Sequence, residues 1–213
     1  MIYKNIILII TAIILFSACS SKQEEEYNKP ALYWYNKMLK EISLNQLDKA
    51  DDTYTSLESE HRKSPLLPSA LMIIAISHME EEEYELAVYY FDDYIKRFEK
   101  NSLQDYVRYL KIKAKFFAFK QQFREQKLID DTLRDIDAFT RNYSDSSYIY
   151  LVQTIQSRLY MAKASLDTEI AGLYERKDKP KAVIVYKEKA KKSWQELNTI
   201  KEVSVPWYRY IFE

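Results

Sequence analysis

The sequence predicts an all-α protein built as a right-handed solenoid of helical hairpins. Three observations predict it. Apolar residues recur at helical spacing through most of the 213 residues. The chain has a single glycine, Gly172. A short pattern of a small residue followed by an aromatic one returns at roughly hairpin-length intervals. The scarcity of glycine excludes as well as predicts. Tight β-hairpins, phosphate-cradling loops and nucleophile elbows need residues that tolerate a positive φ or close backbone approach. A chain with one glycine is poorly supplied for a β-rich fold or a nucleotide-binding enzyme.

The first element, residues 1–18, reads as a secretory signal. Lys4 gives a positive start, and Ile6 to Phe16 is apolar apart from Thr11. That run is shorter than the ~20 residues of a spanning helix. Ser17 and Ala18 then lead into Cys19, the only cysteine, which therefore has no internal disulfide partner. Small residues ending in cysteine resemble the lipobox of bacterial lipoproteins, although Phe16 stands where Leu is usual. The resemblance implies acylation of the Cys19 sulfur and cleavage just before it. Two or three acyl chains, at ~0.8 kcal/mol per buried methylene, hold a protein stably on a membrane. Ser20, rather than Asp, follows the cysteine, which by resemblance to the sorting rule favours the outer membrane. An ordinary cleaved signal with a chance cysteine is the plainer alternative. Residues 19–29 are polar and aperiodic and read as a flexible tether.

Helices are expected at 30–43, 46–62, 66–80, 83–99, 102–122, 126–142, 146–175 and 180–202, forming a repeat domain over 30–202. Pro30 suits a first helical turn, where its missing N–H is no loss. Pro65 and Pro68 separate the second helix from the third. The fourth is the clearest: Tyr84, Ala87, Val88, Phe91, Tyr94, Ile95 and Phe98 fall on one face.

"ADDTY" at Ala50, "AVYYF" at Ala87 and "AVIVY" at Ala182 share the form Ala-x-x-x-aromatic, and "DIDAF" at Asp135 is a degenerate copy. Successive spacings are 37, 48 and 47 residues. A small residue lets the two helices of a hairpin approach, and an aromatic one turn later fills the gap to the next hairpin. Sixteen residues before each Ala stand Trp34, Leu71 and Leu166. Trp34 and Ala75 match the tetratricopeptide signature, whose period is about 34 residues. Leu166, Ile170 and Leu173 are expected to give the same stripe in the last unit.

Several stretches, in order, carry a wider resemblance. They are "HRKSPLLPSALMIIAISHMEEEEYELAVYYFDDYIKRF", "NSLQDYVRYLKIKAKF", "RNYSDSSY" and "EIAGLYERKDKPKAVIVYKE". Together they resemble the BamD (ComL) family of outer-membrane assembly lipoproteins, over roughly 30–192. Ser144 replaces a proline common in that family, and Asp178, Lys179 and Pro180 stand where it often has Gly. The resemblance implies a non-enzymatic protein without a cofactor, anchored on the periplasmic face of the outer membrane. It implies two partners: the periplasmic domains of a BamA-type barrel insertase, and unfolded β-barrel proteins. Better-studied members meet BamA through an Arg near the last hairpin. Here Tyr186 aligns with it, beside Lys187.

Thirty-two basic and 32 acidic residues give no net charge, and no bulk support for nucleic-acid binding. His61 and His78 lack a Cys or His at metal-ligand spacing, and His78 reads as a surface or capping residue. Glu80 to Glu83 read as a solvated turn that favours the next helix's N-terminus. Nineteen tyrosines suit both core packing and a peptide groove. The repeat register points to Tyr35, Leu39, Ile42, Met72, Ile76 and Met79 as groove residues; packing between neighbouring helices is the alternative.

Arg176 to Lys192 holds eight basic and two acidic residues, with Val183, Tyr186, Ala190, Trp194 and Leu197 as its apolar stripe. Tyr174, Tyr186, Lys187 and Lys189 are the candidate docking residues for an acidic partner; a solvated face is the plainer reading. The aromatic tail at 203–213 is expected to cap the last repeat. Two other functions compete. A pilotin-type lipoprotein for secretin or pilus assembly would carry more regular 34-residue repeats. A cell-wall enzyme would need a nucleophile–base pair that the sequence does not suggest.

Overall fold

The computed structural model describes residues 26–100, 102–121 and 126–200. The signal, Cys19, most of the tether and the aromatic tail lie outside the described residues. Among those described there are eight α-helices and no strand: α1 Ala31–Ser43, α2 Leu47–Glu60, α3 Leu67–Glu80, α4 Tyr84–Arg97, α5 Gln104–Gln121, α6 Gln126–Asn142, α7 Ile149–Arg176 and α8 Pro180–Glu196. A 3-10 turn, Leu197–Thr199, follows. Sequence neighbours pack together, α7 with α8 most extensively, as tetratricopeptide-like hairpins do. Among the described residues, no helix is long and apolar enough to cross a membrane.

Three of the hairpin turns close in the same way without glycine. Asn45, Glu82 and Asp178 adopt the left-handed conformation, at φ 55°, 63° and 52°. Each lies just past a helix end. The next N–H donates back five residues: Gln46 to the Glu41 carbonyl, Glu83 to His78, Lys179 to Tyr174. The left-handed residue's own N–H reaches back three, to Ile42, Met79 and Glu175. This is the Schellman closure, which satisfies carbonyls that a helix end leaves orphaned. Asn and Asp tolerate a positive φ better than most residues; Glu82 bears more of its steric cost.

The loops between hairpins repeat as well. In the α2–α3 loop the Ser64 N–H donates to His61 and its Oγ accepts from Leu66 N–H. In the α6–α7 loop Ser146 does the same with Tyr143 and Tyr148. Ser146 also donates its hydroxyl to Asp105 at 2.7 Å. The Asp-Tyr-Val-x-Tyr stretch thus locks α5 to this loop: Val107 is fully buried, and the Tyr106 and Tyr109 rings lie 5.2 Å from that of Tyr148.

One core runs from α1 into α5, around Trp34, Met38, Leu57, Leu71, Ile74 and Phe91. A second lies between α5, α6 and α7, around Ile112, Ile136, Phe139 and Leu159. Helix α5 serves both, burying Val107 in the first and Ile112 in the second. Ala50, Ala75 and Ala87 are fully buried, as the repeat pattern requires, and Trp34 donates to Glu60 of α2 at 2.8 Å.

The last hairpin departs from expectation. Its buried face is Ala164, Asp167 and Ala171 on α7 against Val183, Ala190 and Ser193 on α8. Leu166 and Ile170 are only half-buried, Ala182 is half-buried, and Leu173 and Trp194 are exposed. The reason is steric. Small residues on both helices allow a close approach, and that rotates the larger side chains out of the seam.

Candidate partner-docking site

The α7–α8 turn gathers the four docking candidates. Tyr174 lies in the last turn of α7, where its carbonyl accepts the Schellman bond from Lys179. That closure folds α8 back antiparallel, so the Tyr186 ring stacks on Tyr174 at 5.5 Å between centroids and 22° between planes. The Lys189 ammonium sits 4.6 Å from the Tyr186 centroid, within cation–π range. Lys187 faces Glu175 at 3.7 Å, but both are well exposed, so that pair is worth little and either is free to exchange for another partner. Ile184 and Val185 stand out on the same helix, 59% and 47% exposed. The result is an exposed, cationic helix end with an aromatic pair and apolar neighbours.

The six groove candidates occupy two parallel stripes on α1 and α3. All six are half-buried and pack against the margin of the first core. Tyr35, Leu39 and Ile42 flank the buried Trp34 and Met38; Met72, Ile76 and Met79 flank Leu71, Ala75 and His78. Among the described residues, a cavity of about 560 Å³ lies elsewhere, between α6, α7 and α8, and another of about 800 Å³ lies between the start of α6 and α7.

His78 corrects the sequence reading. It is not a surface residue but fully buried. Its Nδ1 lies 2.6 Å from Glu83 Oε2 and its Nε2 2.9 Å from Asp51 Oδ1. The ring stacks on Tyr90, whose hydroxyl donates to the same Asp51 oxygen at 2.7 Å. Burial works against the charged ring, but the bonds to Asp51 and Glu83 outweigh it and raise the pKa above its usual value. An imidazolium donating from both nitrogens suits this setting. The same bond changes the reading of Glu80 to Glu83, because Glu83 is a structural partner of His78. Burial likewise pushes the Tyr90 hydroxyl up. The cluster ties α2, α3 and α4 together.

Sequence reasoning also missed Asp167. Only 4% exposed, it faces the α6–α8 cavity, and burial raises its pKa. A carboxylate amid an otherwise small-residue seam was the available signal. Among the described residues, no group of His, Cys, Asp or Glu is placed to hold a metal ion.

A family model described as an outer membrane lipoprotein, YfiO, matches residues 27–204. A curated relative from Helicobacter pylori (strain ATCC 700392 / 26695), the outer membrane protein assembly factor BamD, is 36% identical over 99% of this chain and 97% of its own length.

Proposed function

Because this chain belongs to the YfiO family of outer membrane lipoproteins, we propose that it is a non-catalytic scaffold of the machinery that inserts β-barrel proteins into the outer membrane. In this reading Cys19 carries the lipid anchor and the repeat domain hangs on the periplasmic face. The domain docks the periplasmic part of a BamA-type insertase and receives unfolded barrel proteins. The observation that carries it is the α7–α8 helix end. There the exposed Lys187 and Lys189 and the half-buried, stacked Tyr174 and Tyr186 form one cationic and aromatic surface on the α7–α8 hairpin. Charge complementarity between that patch and an acidic partner surface speeds encounter. The stripes of α1 and α3 are the proposed groove for extended, aromatic-rich substrate segments. Half-buried methionines at its edge suit varied ligands.

The test is capture of the lipidated protein from mildly solubilised membranes, followed by mass spectrometry. A large barrel protein with periplasmic repeats is expected to co-purify. Lys187→Glu with Lys189→Glu is expected to reduce that capture at low salt while helix content stays intact. A secretin in place of the barrel protein would favour the pilotin reading. Unchanged capture of the double variant would remove the lysines from the interface.

A further inference from the structure

We propose that the aromatic tail, residues 203–213, lies extended in the cleft between α6, α7 and α8 and closes the terminal repeat. The inference rests neither on lipidation nor on what docks at the α7–α8 turn.

Helix α8 joins the fold through α7. Among the described residues, the second core takes no residue from α8, and a cavity lies between α8 and α6 instead. The last unit of a solenoid needs its open edge covered. Ile129, Leu133 and Leu166 give the cavity an apolar lining. The second cavity shares Gln126 and Leu166 with the first and continues along α7 to Ile170 and Leu173. Charged side chains of both signs stand at the cleft, among them Lys163 and Asp130, paired at 2.5 Å. Apolar surface rather than net charge therefore selects the occupant. Gly172 stands in the wall of the second cavity. Alanine is the better helix former, and among the described residues a Cβ at this position would meet only the Arg176 guanidinium, at an ordinary 3.6 Å. A chain segment laid against α7 accounts for the bare position.

Three features of the chain name that segment. The first is delivery. Ser193 and Glu196 of α8 line the first cavity, and at Ile200 the backbone leaves the 3-10 turn extended, at φ −75° and ψ 128°. The second is reach. From Tyr160 to Leu173 the cleft follows α7 for about 20 Å at ~1.5 Å per residue. The 13 residues after Ile200 span up to about 45 Å when extended. The third is pattern. Pro206 cannot donate to a helix and holds Val205 out of the α region. Alternate residues of an extended segment share a face, which groups Tyr208, Tyr210 and Phe212. Their rings suit the apolar lining, and the tyrosine hydroxyls suit the charged rim. A segment tethered this closely acts at an effective concentration in the millimolar range. A separate partner reaches the cleft only by displacing it.

The test places the photocrosslinker p-benzoylphenylalanine at Tyr210 of the full-length protein, purified in mild detergent, and maps the links by mass spectrometry. Mixing with an isotope-labelled copy separates links within one chain from links between copies. Links within one chain to the α6 and α7 residues of the cleft are expected. Leu173→Asp, at an exposed position, is expected to lower their yield several-fold. In the full-length protein carrying Tyr208→Ser, Tyr210→Ser and Phe212→Ser, amide hydrogen exchange over 126–137 and 160–173 is expected to quicken about tenfold or more, while α1 to α4 keep their protection. The proposal is overturned if no link reaches the cleft, if the links join two copies, or if either variant leaves its readout unchanged. A link to a co-purified protein in place of the cleft would make the tail a partner-binding segment and would equally overturn it.

Discussion

Replacing His78 with leucine tests whether the buried cluster is held by a charged imidazolium. Leucine keeps much of the buried volume but removes both ring hydrogen bonds. Each bond to a charged group is worth about 1.5–3 kcal/mol. Breaking a fully buried pair costs about 3–5 kcal/mol. The loss here is expected to be smaller, about 2–3 kcal/mol, because the side chains of Glu83 and Asp51 are 48% and 25% exposed and recover water, and because Asp51 keeps the Tyr90 hydroxyl. For a domain of this size that lowers Tm by about 5–10 °C. The pH dependence carries the sign. The folded pKa of His78 is raised above the unfolded value of about 6.5. Its contribution is therefore complete below that value and is lost as pH rises through the folded pKa. The groups facing the ring are Asp51 from α2, Glu83 from the α3–α4 turn and Tyr90 from α4. Thermal unfolding followed by circular dichroism at pH 6, 7.5 and 9 is the assay. The gap between wild type and variant is expected to be widest at pH 6 and to narrow toward pH 9. An equal gap at both ends would mean that folding leaves the ring's pKa unchanged, and a gap narrower at pH 6 would mean that the folded ring is neutral; either result would refute the reasoning.

Two further outcomes concern the repeats and the substrate groove. Glu82→Gly is expected to stabilise the protein by about 1 kcal/mol, or about 2–4 °C, by relieving a non-glycine residue at positive φ; a lower Tm would place the cost elsewhere. Met72→Ala with Ile76→Ala is expected to weaken binding of an aromatic-ended barrel-protein peptide several-fold, while costing about 2–4 kcal/mol of stability through partly buried contacts; full affinity in the folded variant would move the groove.

Helix identity and hairpin order were legible in the sequence because both are local properties. A 3.6-residue period writes each helix's inner face directly, and Ala50 and Ala87 mark the hairpin contacts by their size alone. The proline-flanked loop before α3 was equally plain. What tertiary structure alone decided was where polar and large residues went once the helices met. His78 is inside because Asp51, 27 residues earlier, arrives with a carboxylate to receive it, and no local pattern records that partner. The three Schellman turns use Asn, Glu and Asp, so the scarcity of glycine hid their equivalence. In the last hairpin the apolar stripe of Leu166, Ile170 and Leu173 looked like a core face. The seam instead runs through Ala164, Ala171, Ala190 and Ser193, which leaves Leu166 against the second core, Ile170 half-buried and Leu173 exposed. Periodicity gives each helix an apolar face; the distance at which two helices pack determines which residues of that face the seam covers.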